Sequence, residues 1–298
     1  MQVTKLPKFH GVAPALVTPM FQDRSIDWKA LSTLINHVSQ GGVDYLVVQG
    51  TTGESATTTS DEKKKIIETI KESNAYQLPI VYGIGGNDTE SLLTQIKNTT
   101  FDGIDAILSV APYYNKPSSR GIKEHFYAIA DACPVPVILY NIPGRTGINV
   151  SPETVLALAE HSNIIGIKEA SCIIEQCIEI AFHKPNDFLL ISGDDVQAVP
   201  IISIGGVGVM SVIANALPNK FSEMIHHALK GDFVSAQKIL GHFLAIDSYL
   251  YEEGNPVGVK LILEHLGLMD SQVRRPLVSG SNELKINLVN RCKQEKLI

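Results

Sequence analysis

The stretch Ile164-Ile165-Gly166-Ile167-Lys168-Glu169-Ala170-Ser171 sets a lysine at the end of an apolar run rich in β-branched residues. Such a run suits a strand covered on both faces, as in a parallel sheet. An unpaired buried ammonium is costly, so a lysine there either reaches water or gives up its proton. A neutral amine in a pocket is a nucleophile toward carbonyl carbon. The plainer alternative is a lysine that reaches solvent or pairs with Glu169. Alternation along a strand sends Glu169 to the other face. The expected partner of Lys168 is instead the hydroxyl of Tyr140, one strand away.

Further candidates end other apolar runs. Thr51 and Thr52 follow Gly50, Tyr113 and Tyr114 follow Ala111-Pro112, and Tyr140 closes Val135–Leu139. Arg145 lies in a Pro-Gly-Arg-Thr-Gly segment read as a loop, and Gly193 and Asp194 follow Ser192. Each has a plain reading when taken alone. The threonines could satisfy their own backbone in a turn. Tyr140 could be a core tyrosine, one of Tyr113 and Tyr114 could be buried and the other exposed, and Arg145 could be a surface arginine. Together they gather hydroxyls, one amine and one guanidinium, with few acids and no histidine cluster. That is a poor divalent-metal site and a good site for a small anion bearing a carbonyl.

These residues need a scaffold that brings strand ends to one rim. Eight apolar runs alternate with helical patterns, from Val12–Pro19 through Val207–Val212. Such alternation implies a parallel sheet, and eight units imply a (β/α)8 TIM barrel, whose active sites lie at the C-terminal ends of the strands. A doubly wound dinucleotide fold is the runner-up, but no G-x-G-x-x-G follows the first run. After Asn215 the pattern is helical alone. The expected division is a barrel over residues 1–230 carrying the site and a C-terminal helical appendage over 231–298. Ala198–Leu217 is uncharged and long enough to span a membrane, yet Pro200, Gly205, Gly206, Gly208 and Asn215 interrupt it. It is read as buried core.

The chain has 298 residues, 44% hydrophobic and 19% charged, with a formal net charge of -6. No basic block is present, which argues against a nucleic-acid partner. The segment Met1–Pro7 lacks the apolar core of a signal peptide. The four cysteines, Cys133, Cys172, Cys177 and Cys292, form no C-x-x-C pair or zinc set. Cys172 and Cys177 are expected on one helix, and buried thiols of a reducing cytoplasm account for all four.

The motifs GVAPALVTP, GTTGESAT, APYYNKP, LYNIPGRTG, IGIKEAS, SGDD and GGVGVMSV run from Gly11 toward the C-terminal helices. On them the chain resembles the dihydrodipicolinate synthase (4-hydroxy-tetrahydrodipicolinate synthase) family, of the pyruvate-dependent class I aldolase superfamily that includes N-acetylneuraminate lyase. The double threonine and Arg145 favour the synthase, since the lyases typically carry a Ser-Thr pair and lack the arginine. The resemblance implies condensation of pyruvate with L-aspartate 4-semialdehyde in lysine biosynthesis, through a Schiff base on Lys168 and without a cofactor or metal. It implies that Tyr140 is the general acid/base and that Thr51 and Tyr114 complete a proton relay, with Tyr114 reaching in from a neighbouring subunit. Thr52 and the backbone of Met210 would hold pyruvate, and Arg145 the semialdehyde carboxylate. A cytoplasmic homotetramer built from dimers is implied as well.

Two departures stand out. Position 210 is methionine where the family often has isoleucine, a change a backbone contact should survive. Lysine-inhibited bacterial members usually carry histidine where this chain has Lys63 and glutamate where it has Ser91, while Asn87 and Tyr113 are retained. Weak or absent feedback by L-lysine is therefore expected. A sister aldolase acting on sugar acids, and a non-catalytic barrel that senses a keto acid, are the competing readings.

Overall fold

Asp27 shows how the elements begin. Its carboxylate accepts a hydrogen bond from the Ala30 N–H at 2.9 Å, a cap worth about 1 kcal/mol. Helix α1 (Trp28–Gln40) follows and buries Leu31, Leu34, Ile35 and Val38 along one stripe. The structure, a computed structural model, describes residues 7–298.

Among the described residues eight strands form one sheet: β1 (Gly11–Pro14), β2 (Leu46–Val48), β3 (Ile80–Gly83), β4 (Ala106–Val110), β5 (Val137–Asn141), β6 (Ile164–Glu169), β7 (Leu189–Ser192) and β8 (Gly208–Ser211). Their order is β1-β8-β7-β6-β5-β4-β3-β2. A parallel bridge from Ala15 to Val47 links the two ends of that order. Neighbours in sequence are thus neighbours in the sheet, as in the expected (β/α)8 barrel. The intervening helices are α2 (Ser60–Ser73), α3 (Thr89–Lys97), α4 (Ser119–Ala132), α5 (Pro143–Thr146), α6 (Pro152–Ala159), α7 (Ile174–His183) and α8 (Ala198–Ser203). The C-terminal part is helical: α9 (Pro218–Leu229), α10 (Phe233–Tyr251), α11 (Val257–His265) and α12 (Asn282–Gln294).

Two compact units divide the chain. One joins the described residues up to Leu78 to Ser211–Ile298. Within it α9 packs on β1 and on α10, and α12 packs on α10 and α11. The other, Pro79–Met210, holds β3 to β7 in parallel register with apolar, buried strands.

The strands are shorter than the apolar runs suggest. Beyond Pro14 the backbone groups find other partners: Val17 N–H donates to Asn215 Oδ1 at 3.1 Å and Leu16 N–H to Val47 O at 2.9 Å. Helix α2 stops at Ser73 because the Asn74 side chain turns the chain, bonding both N–H and C=O of Leu78. The segment Pro143–Thr146, read as loop, is one helical turn closed by Gly147 in the left-handed conformation. Cys172 precedes α7 instead of lying on it, is exposed, and has a φ of 61°. The expectation of a buried helical thiol there is wrong, because the chain turns outward directly after β6. The uncharged stretch Ala198–Leu217 is split among α8, β8 and a 3-10 turn, Ile213–Asn215. Among the described residues no helix is long and apolar enough to cross a membrane.

Candidate active site

Register places the central residues. Tyr140 pairs with Val110 on one side and Lys168 on the other, and Lys168 pairs with Ile191. Residues in one cross-strand row of a sheet point to the same face. The following row, Asn141, Glu169 and Ser192, points to the opposite face.

Lys168 is 6% exposed. Its Nζ lies over the Tyr140 ring, 4.3 Å from the centroid. Among the described residues no hydrogen-bond acceptor or carboxylate holds that amine. The expected contact with the Tyr140 hydroxyl is therefore corrected to a contact with the ring face. Side chains that rise in register from adjacent strands meet along their length, which sets the amine against the ring. An aromatic face 4.3 Å away stabilises a cation formed at that position during a reaction. Gly193 makes room for this side chain. A Cβ at that position would stand 3.0 Å from Lys168 Cε and 2.7 Å from Ala170 Cβ.

Glu169 is buried and does face away from Lys168, as alternation requires. Its carboxylate accepts from Asn141 Nδ2 at 3.0 and 3.2 Å, from Gln176 Nε2 at 2.9 Å and from Ser171 N–H at 2.6 Å. Asn141 Nδ2 also bonds Asn149 Oδ1, and Asn141 Oδ1 accepts from Val150 N–H. One network thus ties β5 to β6 directly behind Tyr140 and Lys168, and clasps the segment carrying Arg145. Burial and then the Glu169 charge push the Cys177 thiol up to about 12.

Arg145 lies exposed on α5. Tyr114 is 88% exposed and has a left-handed φ of 71°. Its backbone N–H reaches Thr146 O at 3.4 Å, which joins the two loops. Met210 is buried on β8, one residue beyond Val209, the partner of Ser192. Asn87 Nδ2 bonds Tyr113 O at 3.1 Å, and Ser91 Oγ bonds Asp88 Oδ2 at 2.5 Å.

Thr51 and Thr52 belong to the other unit, in the turn between β2 and α2. Thr52 is buried, and its Oγ1 accepts from Asn255 Nδ2 at 3.0 Å. Two residues on, Glu54 is buried with a φ of 56°. Its Oε1 meets Lys260 Nζ at 2.6 Å, and its Oε2 accepts from Arg274 N–H at 2.8 Å. Lys260 is 0% exposed and donates also to Thr18 O at 2.8 Å and Gln272 O at 2.6 Å. The Arg274 guanidinium grips both oxygens of Glu62 and holds that carboxyl down at about 2.

Among the described residues two lysines are buried, in quite different ways. Lys260 has three acceptors for its three protons, whereas among the described residues Lys168 meets a ring face and no acceptor. The first arrangement holds structure, and the second leaves an amine available for chemistry. Sequence reasoning missed Lys260 and Asn255. The signal for Lys260 was legible, since Val257-Gly258-Val259-Lys260-Leu261-Ile262-Leu263 is another apolar run broken by a lysine. Nothing local marked Asn255, whose contact spans 203 positions of sequence.

A profile of the dihydrodipicolinate synthetase family matches residues 8–295. The chain is 52% identical over 276 residues to the 4-hydroxy-tetrahydrodipicolinate synthase of Cytophaga hutchinsonii, covering 93% of each protein. To the enzyme of the same name from Parabacteroides distasonis it is 48% identical, covering 90% of this chain and 91% of the relative. A dihydrodipicolinate synthase from Acinetobacter baumannii, solved in complex with pyruvate, superposes with a TM-score of 0.94 at 35% identity, over 98% of this chain and 100% of that one. With the motifs and the strand order in agreement with these matches, the chain belongs to the dihydrodipicolinate synthetase family.

Proposed function

We propose that the protein condenses pyruvate with L-aspartate 4-semialdehyde to give 4-hydroxy-tetrahydrodipicolinate. The observation that carries this is the buried Lys168 amine, without an acceptor among the described residues and packed on the Tyr140 ring. In this reading Lys168 Nζ adds to the keto carbon of pyruvate and water leaves. The resulting protonated imine sits where an aromatic face stabilises positive charge. It draws electrons from the adjacent methyl group, which loses a proton to give an enamine. The enamine carbon attacks the aldehyde carbon, whose oxygen takes up a proton. The substrate amine then attacks the imine carbon, closes the ring and expels Lys168.

Several protons move in these steps, and hydroxyl groups can carry them. Tyr140 is the proposed general acid/base, a role that contributes typically about 10²–10⁴-fold. Thr51 and Tyr114 extend the relay. Thr52 and the Met210 backbone receive the pyruvate carboxylate, and the planar fork of Arg145 suits the semialdehyde carboxylate. Tyr114, an aromatic residue 88% exposed in a left-handed conformation, supports a role completed by a second copy of the chain. A homotetramer of paired dimers, located in the cytoplasm, is part of the proposal. So is the division into a catalytic barrel over 1–230 and a helical extension over 231–298.

The test of substrate is a coupled assay with pyruvate and aspartate semialdehyde, run beside cleavage assays on 2-keto-3-deoxy sugar acids and N-acetylneuraminate. Turnover of the first pair alone supports the reading. Sugar-acid cleavage without condensation would replace it with a sister aldolase.

A further inference from the structure

The contact between Asn255 and Thr52 has a direction. Asn255 Nδ2 donates to Thr52 Oγ1 at 3.0 Å, and both side chains are buried. Asn255 Oδ1 meets no donor among the described residues. The reversed amide would leave both buried N–H donors unused, which costs more than an underused carbonyl. A hydroxyl has one proton and two lone pairs. With a lone pair of Thr52 taken by Asn255, the Thr52 proton remains free to be given elsewhere. A carboxylate only accepts, so a hydroxyl fixed in this way greets it as a donor.

The surroundings leave little freedom to the two partners. Lys260, five residues past Asn255, bonds Glu54, two residues past Thr52. The same pair of segments is therefore joined twice. Between the joints, Gly53 O accepts from Thr18 Oγ1 at 2.7 Å, and a Cβ on Gly53 would stand 2.9 Å from Leu16 O. The turn cannot slide, and the direction of one hydrogen bond sets what Thr52 presents.

We propose that Asn255 is a positioning residue that makes the Thr52 hydroxyl an obligate donor to the carboxylate of the keto acid. This rests on the reading of Thr52 as the carboxylate-binding residue. The test measures KM for pyruvate and kcat in the full-length enzyme for Asn255→Asp, Asn255→Ala, Thr52→Val and the double variant Asn255→Ala/Thr52→Val, with thermal melting beside each. Asp keeps the shape of Asn but accepts only, so Thr52 would turn its proton inward. KM for pyruvate is expected to rise about tenfold in Asn255→Asp, the scale of one hydrogen bond to a charged group, and less in Asn255→Ala. KM for the semialdehyde should move little. In the Thr52→Val background, Asn255→Ala should add nothing further, since it acts through Thr52. Independent, multiplying effects of the two substitutions would overturn the inference, as would a parental KM in both Asn255 variants while Thr52→Val raises it. If Thr52→Val itself leaves KM for pyruvate unchanged, the carboxylate reading fails and takes the inference with it.

Discussion

Gly193→Ala probes how tightly Lys168 is placed. A methyl at position 193 would stand 2.7 Å from Ala170 Cβ, 3.0 Å from Lys168 Cε and 3.1 Å from Glu169 O. Ordinary contact between carbons is about 3.5–4.0 Å, so Ala170 Cβ and Lys168 Cε must retreat by roughly 0.5–1.3 Å. Two of the three are held by backbone hydrogen bonds: Ala170 N–H to Asn141 O at 2.9 Å, and Gly193 N–H to Glu169 O at 2.7 Å. The lysine side chain yields first, and the 2.7 Å contact with Ala170 Cβ is relieved only by a small shift of the backbone after β6. Overpacking alone costs about 1–3 kcal/mol of stability. A misplacement of about 1 Å at a reacting atom costs on the order of 10²-fold in rate. Gly193→Ala is therefore expected to remain folded, to melt at a lower temperature, and to lose about 100-fold in kcat. Borohydride trapping of the pyruvate imine, sampled over time, should show slowed imine formation. Gly241→Ala serves as a control: a Cβ there meets nothing within 4 Å and replaces a helix-interior glycine, so activity should hold and stability should rise by about 0.5–1 kcal/mol. Gly193→Ala with parental kcat and parental trapping kinetics would refute the packing argument.

Tyr140→Phe keeps the ring beneath Lys168 and removes only the hydroxyl, so imine trapping should survive while kcat falls by about 10²-fold or more. Parental turnover would remove Tyr140 from proton transfer. Glu62, gripped by Arg274 and held at about 2 against an ordinary 4.5, contributes stability that is full above pH 4.5 and fades as pH falls toward 2. Glu62→Gln should melt below the parent at pH 6, and the gap should narrow through that acid window. A gap independent of pH would assign the difference to packing. Millimolar L-lysine should leave the steady-state rate largely intact. A cationic Lys63 disfavours a cationic ligand nearby, and Ser91 Oγ is already bonded to Asp88. Abolition of activity by millimolar L-lysine would contradict this.

The barrel was legible because local signals agreed with it. Caps such as Asp27 and Ser151 sit where the helices start, and an apolar run marks the place of every strand. Strand ends were less legible, because side chains such as Asn215 and Asn74 take over backbone groups where the ladder stops. At the candidate site, alternation correctly separated Lys168 from Glu169. It could not reveal that the amine meets the Tyr140 ring face, since that depends on how far each side chain extends. Lys168 and Lys260 carry the same sequence signal, a lysine in an apolar run. Only the acceptors gathered around Lys260 from Thr18, Glu54 and Gln272 tell them apart, and those are distant in sequence.

The central claim is that the Lys168 amine forms a covalent imine with pyruvate. Incubation with pyruvate and borohydride, followed by peptide mass spectrometry, tests it most directly. The expected result is one reduced pyruvyl adduct on Lys168, with Lys260 unmodified and no adduct in Lys168→Ala. Absence of any adduct, or an adduct on another lysine, would contradict the account.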